Sequence, residues 1–466
     1  MWIKSSKSMD FSQYKIFRDG INKEYGKYYK QYPSAFLVLD YLVQLRVNND
    51  KLNNRQLTDW TDWAMSVNLD NLTKFSFPSY IYCLYLRIVS YFPKCRNKAC
   101  KIHVAIDDHM FPGLNKVINK IANNNNWEVV FQGNSSFSNI LDLMLLKRIS
   151  PYRCFISRRT KKLLFKFRTI EKDVWRELFD DRALMMQLNY SVQQDTEYTA
   201  QLIKRLGINI FINSGDSSGN ARILIDSSRY YDSKTISFAH GYIQNKWLMS
   251  IAPIRSDKLI LWTNKQLLDI SAVVGHEQSK KLSYIGFPKK YISGNSSSDD
   301  ISSLLLMGKI EDMLKDNKLH ALFINVIEAL RDLPTKVKLR LHPHERFGIP
   351  IIEEFVAKNI IELSNSNLDS DIAEADYIIG ANSSTLVEAA SSGKNVFEVE
   401  ELSDSNFDLE GIIKLKVKQI QEIKLFSNRV DNCDLAFNEK ELEKNLTKLI
   451  ISVNNTPNAM TGLQKA

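Results

Sequence analysis

Three short polar clusters in this chain have the residue types of a group-transfer site. FAHGYIQN at 238–245 sets His240 beside Gly241, RLHPHE at 340–345 sets His342 before Pro343, and GANSSTLVEA at 380–389 sets Ser383, Ser384 and Thr385 ahead of a run of helix formers. An imidazole of ordinary pKa can take a proton near neutral pH, and a neighbouring glycine lets a ligand approach closely. Imidazole N–H groups, hydroxyls and the free amides of a helix's first turn are donors that a phosphate accepts from. His240 therefore reads as a general base, and His342 with Ser383, Ser384 and Thr385 as an anion-binding set. Pro343 fixes the turn after the strand that carries His342. Glu388, one turn into the helix, reads either as a contact to a sugar or as a surface residue.

Each cluster also has an ordinary structural reading. Ser383 or Ser384 can be a helix N-cap, His342 a satisfied strand end and His240 a buried imidazole bonded to backbone. His344 and Glu345 have no assigned role. Asp107 and Asp108, in IDDHMFPG, and Asp216, in INSGDSSGN, are rival bases. No DxD motif ends a strand, and the DSD run at 369–371 reads as helix capping. No metal site and no cofactor are expected, because cationic groups and a helix start can stabilise a departing phosphate.

The elements that must hold these clusters follow from periodicity. Residues 1–98 read as a helical N-terminal region, from three- and four-residue spacing in FSQYKIFRDGINKEYGKYY and AFLVLDYLVQL. From Lys101 strands and helices alternate, which predicts parallel sheets covered on both faces. KIHVAI, WEVVFQG, INIFINS, TISFAHG, DKLILWT and KLSYIGF are strands of a first domain at 99–288. SSFSNILDLMLLKRI, YTAQLIKRLG and 218–230 are helices of the same domain. KKYISGNSSSDD at 289–300 reads as a linker. SLLLMGK, VKLRLHP, IIELS, DYIIGA and NVFEV are strands of a second domain at 301–452, and 453–466 reads as a disordered tail. The fold class is α/β, two Rossmann-like doubly wound domains after a helical extension. All three clusters then follow strands, where such sheets bind ligands.

The order of two α/β domains, an HP dipeptide and then a serine pair before a helix resembles the GT-B glycosyltransferases that use CMP-activated sugars. Bacterial sialyltransferases, polysialyltransferases and capsule Kdo transferases are of this kind. The resemblance covers about residues 99–430 and is carried by His342-Pro343 and Ser383-Ser384-Thr385. It implies that these residues hold CMP and that the first domain takes the acceptor. Those families carry an acidic-acidic-Gly motif in the first domain, whereas Asp107-Asp108 is followed by His109. His240-Gly241 instead resembles the HG motif of teichoic-acid polyol-phosphate transferases, in which the histidine is the base. The expectation is an inverting, metal-independent transfer of a sialic-acid-type sugar from a CMP donor to a surface glycan, as in O-antigen or capsule synthesis. A CDP-polyol or UDP-sugar donor, or a degenerate transferase fold that only binds, are the alternatives.

A formal charge of +9 and a pI near 9.0 admit nucleic acid, an anionic membrane or a phosphorylated substrate as partner. Five scattered cysteines without a CxxC pair argue for a reducing compartment. No run of 18 apolar residues occurs, and YIYCLYLRIVSYF at 80–92 is too short to span a bilayer. The segment 147–168 holds nine Lys or Arg and no acid, interleaved with Phe155, Leu163, Leu164, Phe165 and Phe167. It reads as a peripheral membrane contact, a solvated helix face or, in third place, a nucleic-acid patch, for which no recognisable module is present. The expected location is the cytoplasm, on the inner face of the cytoplasmic membrane where lipid-linked acceptors are found, with no nucleic-acid partner.

Overall fold

The computed structural model describes residues 11–48, 103–106, 114–132, 157–168, 177–216, 219–239, 253–286, 303–307, 317–331, 336–341, 349–381, 383, 385–402, 411–429 and 438–456. Described residues up to Ile285, together with those from Glu443 on, form one compact unit, and those from Gly286 to Leu442 form a second.

The first unit opens with α1 (Phe11–Gln31) and α2 (Ala35–Asn48). It continues through β1 (His103–Ile106), α3 (Leu114–Asn125), β2 (Glu128–Gln132), α4 (Arg158–Arg168) and α5 (Arg182–Leu206). β3 (Ile210–Ser214), α6 (Gly219–Arg229), β4 (Lys234–Phe238), β5 (Lys258–Leu261), α7 (Asn264–Val274), α8 (His276–Ser279) and β6 (Leu282–Tyr284) complete the series. The six strands are parallel, in the order β2-β1-β3-β4-β5-β6. The chain therefore reverses direction across the sheet between β1 and β3, which leaves a switch point there. β4 is buried along its whole length, as a strand covered on both faces must be.

The α5 helix is longer than YTAQLIKRLG suggests. It starts where the Asp181 carboxylate accepts the Leu184 N–H at 2.9 Å, and it ends at Gly207, whose φ of 64° is a left-handed cap. The helical extension belongs to this unit, with α2 packed on α5 and α6 and α1 on α7. Phe179 joins the pieces: its ring centroid lies 5.4 Å from Tyr25, 5.8 Å from Phe36 and 5.4 Å from Phe167. Ala35 to Leu39 of α2 are all buried, and so is Asp40, whose charge meets the fully buried Arg222 of α6 at 2.8 Å.

The second unit contains β7 (Ser303–Met307), α9 (Asn317–Arg331), β8 (Lys336–Arg340), α10 (Pro350–Ala357), β9 (Glu362–Leu363) and α11 (Leu368–Glu374). β10 (Tyr377–Gly380), α12 (Thr385–Ser391), β11 (Asn395–Val399) and β12 (Ile412–Leu415) follow. Its strands too are all parallel, in the order β12-β11-β10-β7-β8-β9. Phe323, Val326, Ile327 and Leu330 recur at helical spacing on α9 and share one core with Val337 and Leu339 of β8, Ile379 of β10 and Phe397 of β11.

The last helix, α13 (Glu439–Asn455), belongs to the first unit from Glu443 on, where Glu443 pairs with Lys120 of α3 at 2.6 Å. Val453 is buried within it, so the helix continues past the point where the sequence predicts a disordered tail.

The Asp40–Arg222 pair yields a stability test. Removing one partner of a buried pair strands the other charge, which costs about 3–5 kcal/mol, whereas an apolar replacement of both is near neutral. Arg222→Ala is therefore expected to lower unfolding free energy by about that amount in denaturant titrations, and Asp40→Leu combined with Arg222→Met to recover most of it.

Candidate functional site

In the second unit β7 lies between β8 and β10. The chain runs from β7 outward through β8 to the edge strand β9, then returns to β10 on the other side, so the switch point is between β7 and β10. The HP and serine clusters thus leave the sheet after strands two places apart, with β7 between them. In sequence the intervening strand is 360–364; in space that strand, β9, is the outer edge.

Ser383 shapes the turn after β10. Its hydroxyl donates to Thr385 Oγ1 at 2.9 Å and accepts the Thr385 N–H at 3.3 Å, and its carbonyl accepts the Leu386 N–H at 3.1 Å. α12 is seven residues long, two turns, and its first two amides are taken by Ser383, so local hydroxyls supply its donor character more than a summed dipole does. Leu386, Val387, Ala389 and Ala390 are buried around it, and Glu388 is largely buried with them, not a surface residue. The Glu388 carbonyl accepts the hydroxyls of Ser391 and Ser392.

β8 ends in a charged knot that sequence reading missed. Asp371, on α11, accepts Arg340 Nη1 at 2.6 Å and Ser364 Oγ at 2.5 Å, with Lys338 Nζ at 3.8 Å. Capping of α11 is done instead by Asn367, whose side chain accepts the Ser370 N–H at 2.9 Å, so the expected capping role of the DSD run is corrected for Asp371.

In the first unit the rival bases follow three neighbouring strands: Asp107 and Asp108 after β1, Asp216 after β3, His240 after β4. Such adjacency explains why spacing alone leaves them competing. Asp216 is buried, and its two oxygens accept the backbone N–H groups of Arg255 at 2.8 Å and Ser256 at 3.1 Å. Burial pushes its carboxyl up to about 6 against the pull of those N–H groups and of Arg222 and Arg255. Gly215, just before it, has a φ of 96° and donates its N–H to the Phe238 carbonyl at 2.6 Å. Beyond β4, the buried Trp262 donates its indole N–H to the Ala239 carbonyl at 2.8 Å, one residue before His240.

His240, Asp107, Asp108, His342, Pro343 and Ser384 lie outside the described residues, as do the readings at 80–92, 135–149 and 289–300. Within the basic segment, Leu163, Leu164 and Phe167 of α4 are buried, and Thr160 donates to Asp195 of α5 at 2.7 Å. Arg159, Lys162 and Lys166 are exposed on the other side. Those three apolar side chains therefore serve the core and are not available to lipid. Among the described residues no group of three or more His, Cys, Asp or Glu is placed to hold a metal, and no helix is long and apolar enough to cross a membrane.

Each of the two units is thus a doubly wound, all-parallel sheet of Rossmann-like type. No protein-family model matches the chain, and no curated protein matches it. Among solved structures it is similar to the UDP-GlcNAc 2-epimerase of Methanocaldococcus jannaschii (TM-score 0.47, 10% identity, 75% of this chain and 99% of that one). A glycosyltransferase from Rickettsia africae (TM-score 0.40, 12% identity, 77% and 94%) and MurG of Acinetobacter baumannii (TM-score 0.38, 11% identity, 76% and 100%) are also similar.

Asp216 supplies a pH test. Its folded value, about 6, lies above the ordinary 3.8, so between these values the native state holds a proton that the unfolded chain has lost. Stability from this group is thus full below pH 3.8 and lost as pH rises through 6, by about 3 kcal/mol at roughly 1.4 kcal/mol per pH unit. Asp216→Asn cannot titrate. Wild-type stability relative to this variant is expected to fall between pH 4 and pH 7, measured by denaturant unfolding at each pH, and a constant difference would refute the assignment.

Proposed function

We propose that this protein is a glycosyltransferase that moves a sialic-acid-type ulosonic acid from a CMP donor to a glycan hydroxyl, with inversion and without a metal ion. The observation that carries this reading is topological: the His342-Pro343 and Ser383-Ser384-Thr385 clusters follow β8 and β10, the two strands that flank β7 at the switch point of the second unit. Motifs that bind one phosphate must leave the sheet on the same side and within reach of each other, and parallel neighbours of a shared central strand meet both demands.

In this mechanism His240 takes the proton of the acceptor hydroxyl as its oxygen attacks the anomeric carbon from the face opposite the phosphate. The bond from that carbon to the phosphate oxygen breaks, and CMP departs with the electron pair. His342 and the Ser383-Ser384-Thr385 turn, in which the Thr385 hydroxyl is left to donate, stabilise the charge that grows on the phosphate, which is the step where such donors lower the barrier most. Asp216 is a poorer base on this reading, because both of its oxygens already accept backbone N–H groups. The acceptor is a growing surface glycan, of O-antigen or capsule type and carried on lipid at the inner face of the cytoplasmic membrane. Arg159, Lys162 and Lys166 would meet an anionic surface by charge alone, each contributing about 1 kcal/mol near the bilayer. A CDP-polyol donor is the second reading, favoured by the His240-Gly241 pair.

Thermal-shift measurements with CMP, CDP and UDP separate the donors. Stabilisation by CMP, unchanged by chelator and lost in His342→Ala, is expected. A response to UDP and not CMP would replace the donor, and no response to any nucleotide would favour a binding protein that kept only the fold. His240→Ala is expected to bind CMP normally and to lower turnover by about two to four orders of magnitude. Near-normal turnover would remove His240 as base. Mass spectrometry of the surface glycan with and without the protein would then show whether a nonulosonic residue is lost.

A further inference from the structure

We propose that the outward face of α5, together with the turn that ends α6, is a binding surface for a glycan chain, separate from the strand-end loops that carry the chemistry. The choice of a glycan as occupant rests on reading the protein as a glycosyltransferase with a polymeric acceptor.

Exposed rings are few among the described residues, and they are gathered. Six large hydrophobic side chains are exposed there, and four lie together: Met186 and Tyr190 on α5, Tyr230 and Tyr231 just after α6. Tyr190 and Tyr230 are each 53% exposed. Met186, Tyr190, Gln193, Glu197, Gln201 and Lys204 recur at three- and four-residue spacing and are all exposed, so they form one face of the helix. At roughly 1.5 Å per residue that face is about 27 Å long. α6 packs along α5, where Ser227 Oγ donates to the Thr196 carbonyl at 2.9 Å. The two later tyrosines thereby reach the same face. Lys204 Nζ lies 4.8 Å from the centre of the Tyr231 ring, and partial burial, then the nearby Glu197 and Asp226 carboxylates, hold the Tyr230 phenol above its ordinary pKa. Tyr230 and Tyr231 lead into the amino end of β4, whereas the candidate base follows its carboxyl end.

Several of these groups are already fixed. Gln194 Nε2 donates to the Tyr190 phenol oxygen at 2.8 Å, and Gln193 Nε2 to Glu197 Oε1 at 2.9 Å. A tyrosine has few torsions to lose, so a ring held in place binds at little ordering cost.

Chemistry selects the occupant. A pyranose presents C–H groups on its faces and hydroxyls around its rim; aromatic rings take the first, and planar amides and carboxylates take the second. This face supplies both kinds of group along its length. A second helix would need apolar residues to continue down the row, but after Tyr190 it reads Gln193, Glu197, Gln201 and Lys204. An anionic bilayer would meet the exposed carboxylates of Glu197 and Asp232, with Lys204 already over a ring. The face is several sugar units long, which suits a chain and not a single residue. A chain held there would stay with the protein between successive additions.

The full chain is run, without nucleotide, in native gels cast with the surface polysaccharide purified from the cell that makes it. Wild-type protein is expected to be retarded as polysaccharide is added. Tyr190→Ala and Tyr230→Ala should each weaken that effect about three- to tenfold, the range of an aromatic contact, and the double variant should show almost none. Both side chains are exposed, so Tm and far-UV circular dichroism are expected to match wild type. Tyr190→Phe keeps the ring and should remain retarded. An unretarded wild-type chain, equal retardation of the alanine variants, or a Tyr190→Phe chain as weak as Tyr190→Ala would overturn the proposal. So would loss, in the tyrosine variants, of binding to phosphatidylglycerol vesicles or of a dimer seen by sedimentation velocity, which would give the face to lipid or to a second copy. Because no nucleotide enters, failure of the wild-type chain to bind CMP would overturn the donor reading alone and leave this result standing.

Discussion

Parallel pairing imposes one requirement on everything else in this molecule. A strand that runs parallel to its neighbour must be reached by a connection that climbs back along the sheet, and helices on both faces provide the return. All carboxyl ends of a sheet then emerge on one side, and the loops that follow β1, β3 and β4, or β8 and β10, are gathered without any need for proximity in sequence. Chemistry placed in those loops inherits a scaffold of buried strands. The cost is that strand ends carry no further ladder, so each must be held by side chains.

Both units meet that cost in different ways. In the first, an indole N–H holds the Ala239 carbonyl and a buried carboxylate gathers the amides of Arg255 and Ser256. In the second, the Asp371 knot takes the side of β8 where pairing has stopped. The carboxylate is that of Asp216, itself read from sequence as a rival base, and the carbonyl held by the indole belongs to the residue before His240. Directional polar contacts at strand ends are the means by which a sheet designed for burial can present a side chain at a defined angle.

Much of this was readable from residue pattern, and the limits have physical causes. β8 is legible because KVKLR alternates charged and apolar residues, β10 because YIIG is a short apolar run, and the start of α12 because hydroxyl residues precede good helix formers. β12 was missed, since IIKL sits in a lysine-rich stretch that also suits a helix. Lateral order is invisible: nothing in SLLLM announces that β7 separates β8 from β10. The ties are invisible for a related reason, as Asp371 reaches Arg340 across 31 residues, Trp262 reaches Ala239 across 23 and Arg222 reaches Asp40 across 182. At the candidate site, Ser383, Thr385 and Glu388 are seen in context, and for Glu388 that context is the interior of a packed helix.

The return of α13 makes the second unit an insertion in the first. Residues from Glu443 on close a unit that began more than four hundred residues earlier, and Leu446, Ile450 and Val453 are buried there. A gene fragment that stops after β6 would therefore encode the first unit without its last helix, leaving Lys120 without Glu443 and the partners of Leu446, Ile450 and Val453 in water. Exchange of the second unit between related chains needs two seams, near 285 and near 442, whereas one seam would graft a foreign last helix onto the first unit. The length of polypeptide that folds as the first unit is thus known only when synthesis of the second is complete, which makes the order of translation a constraint on assembly.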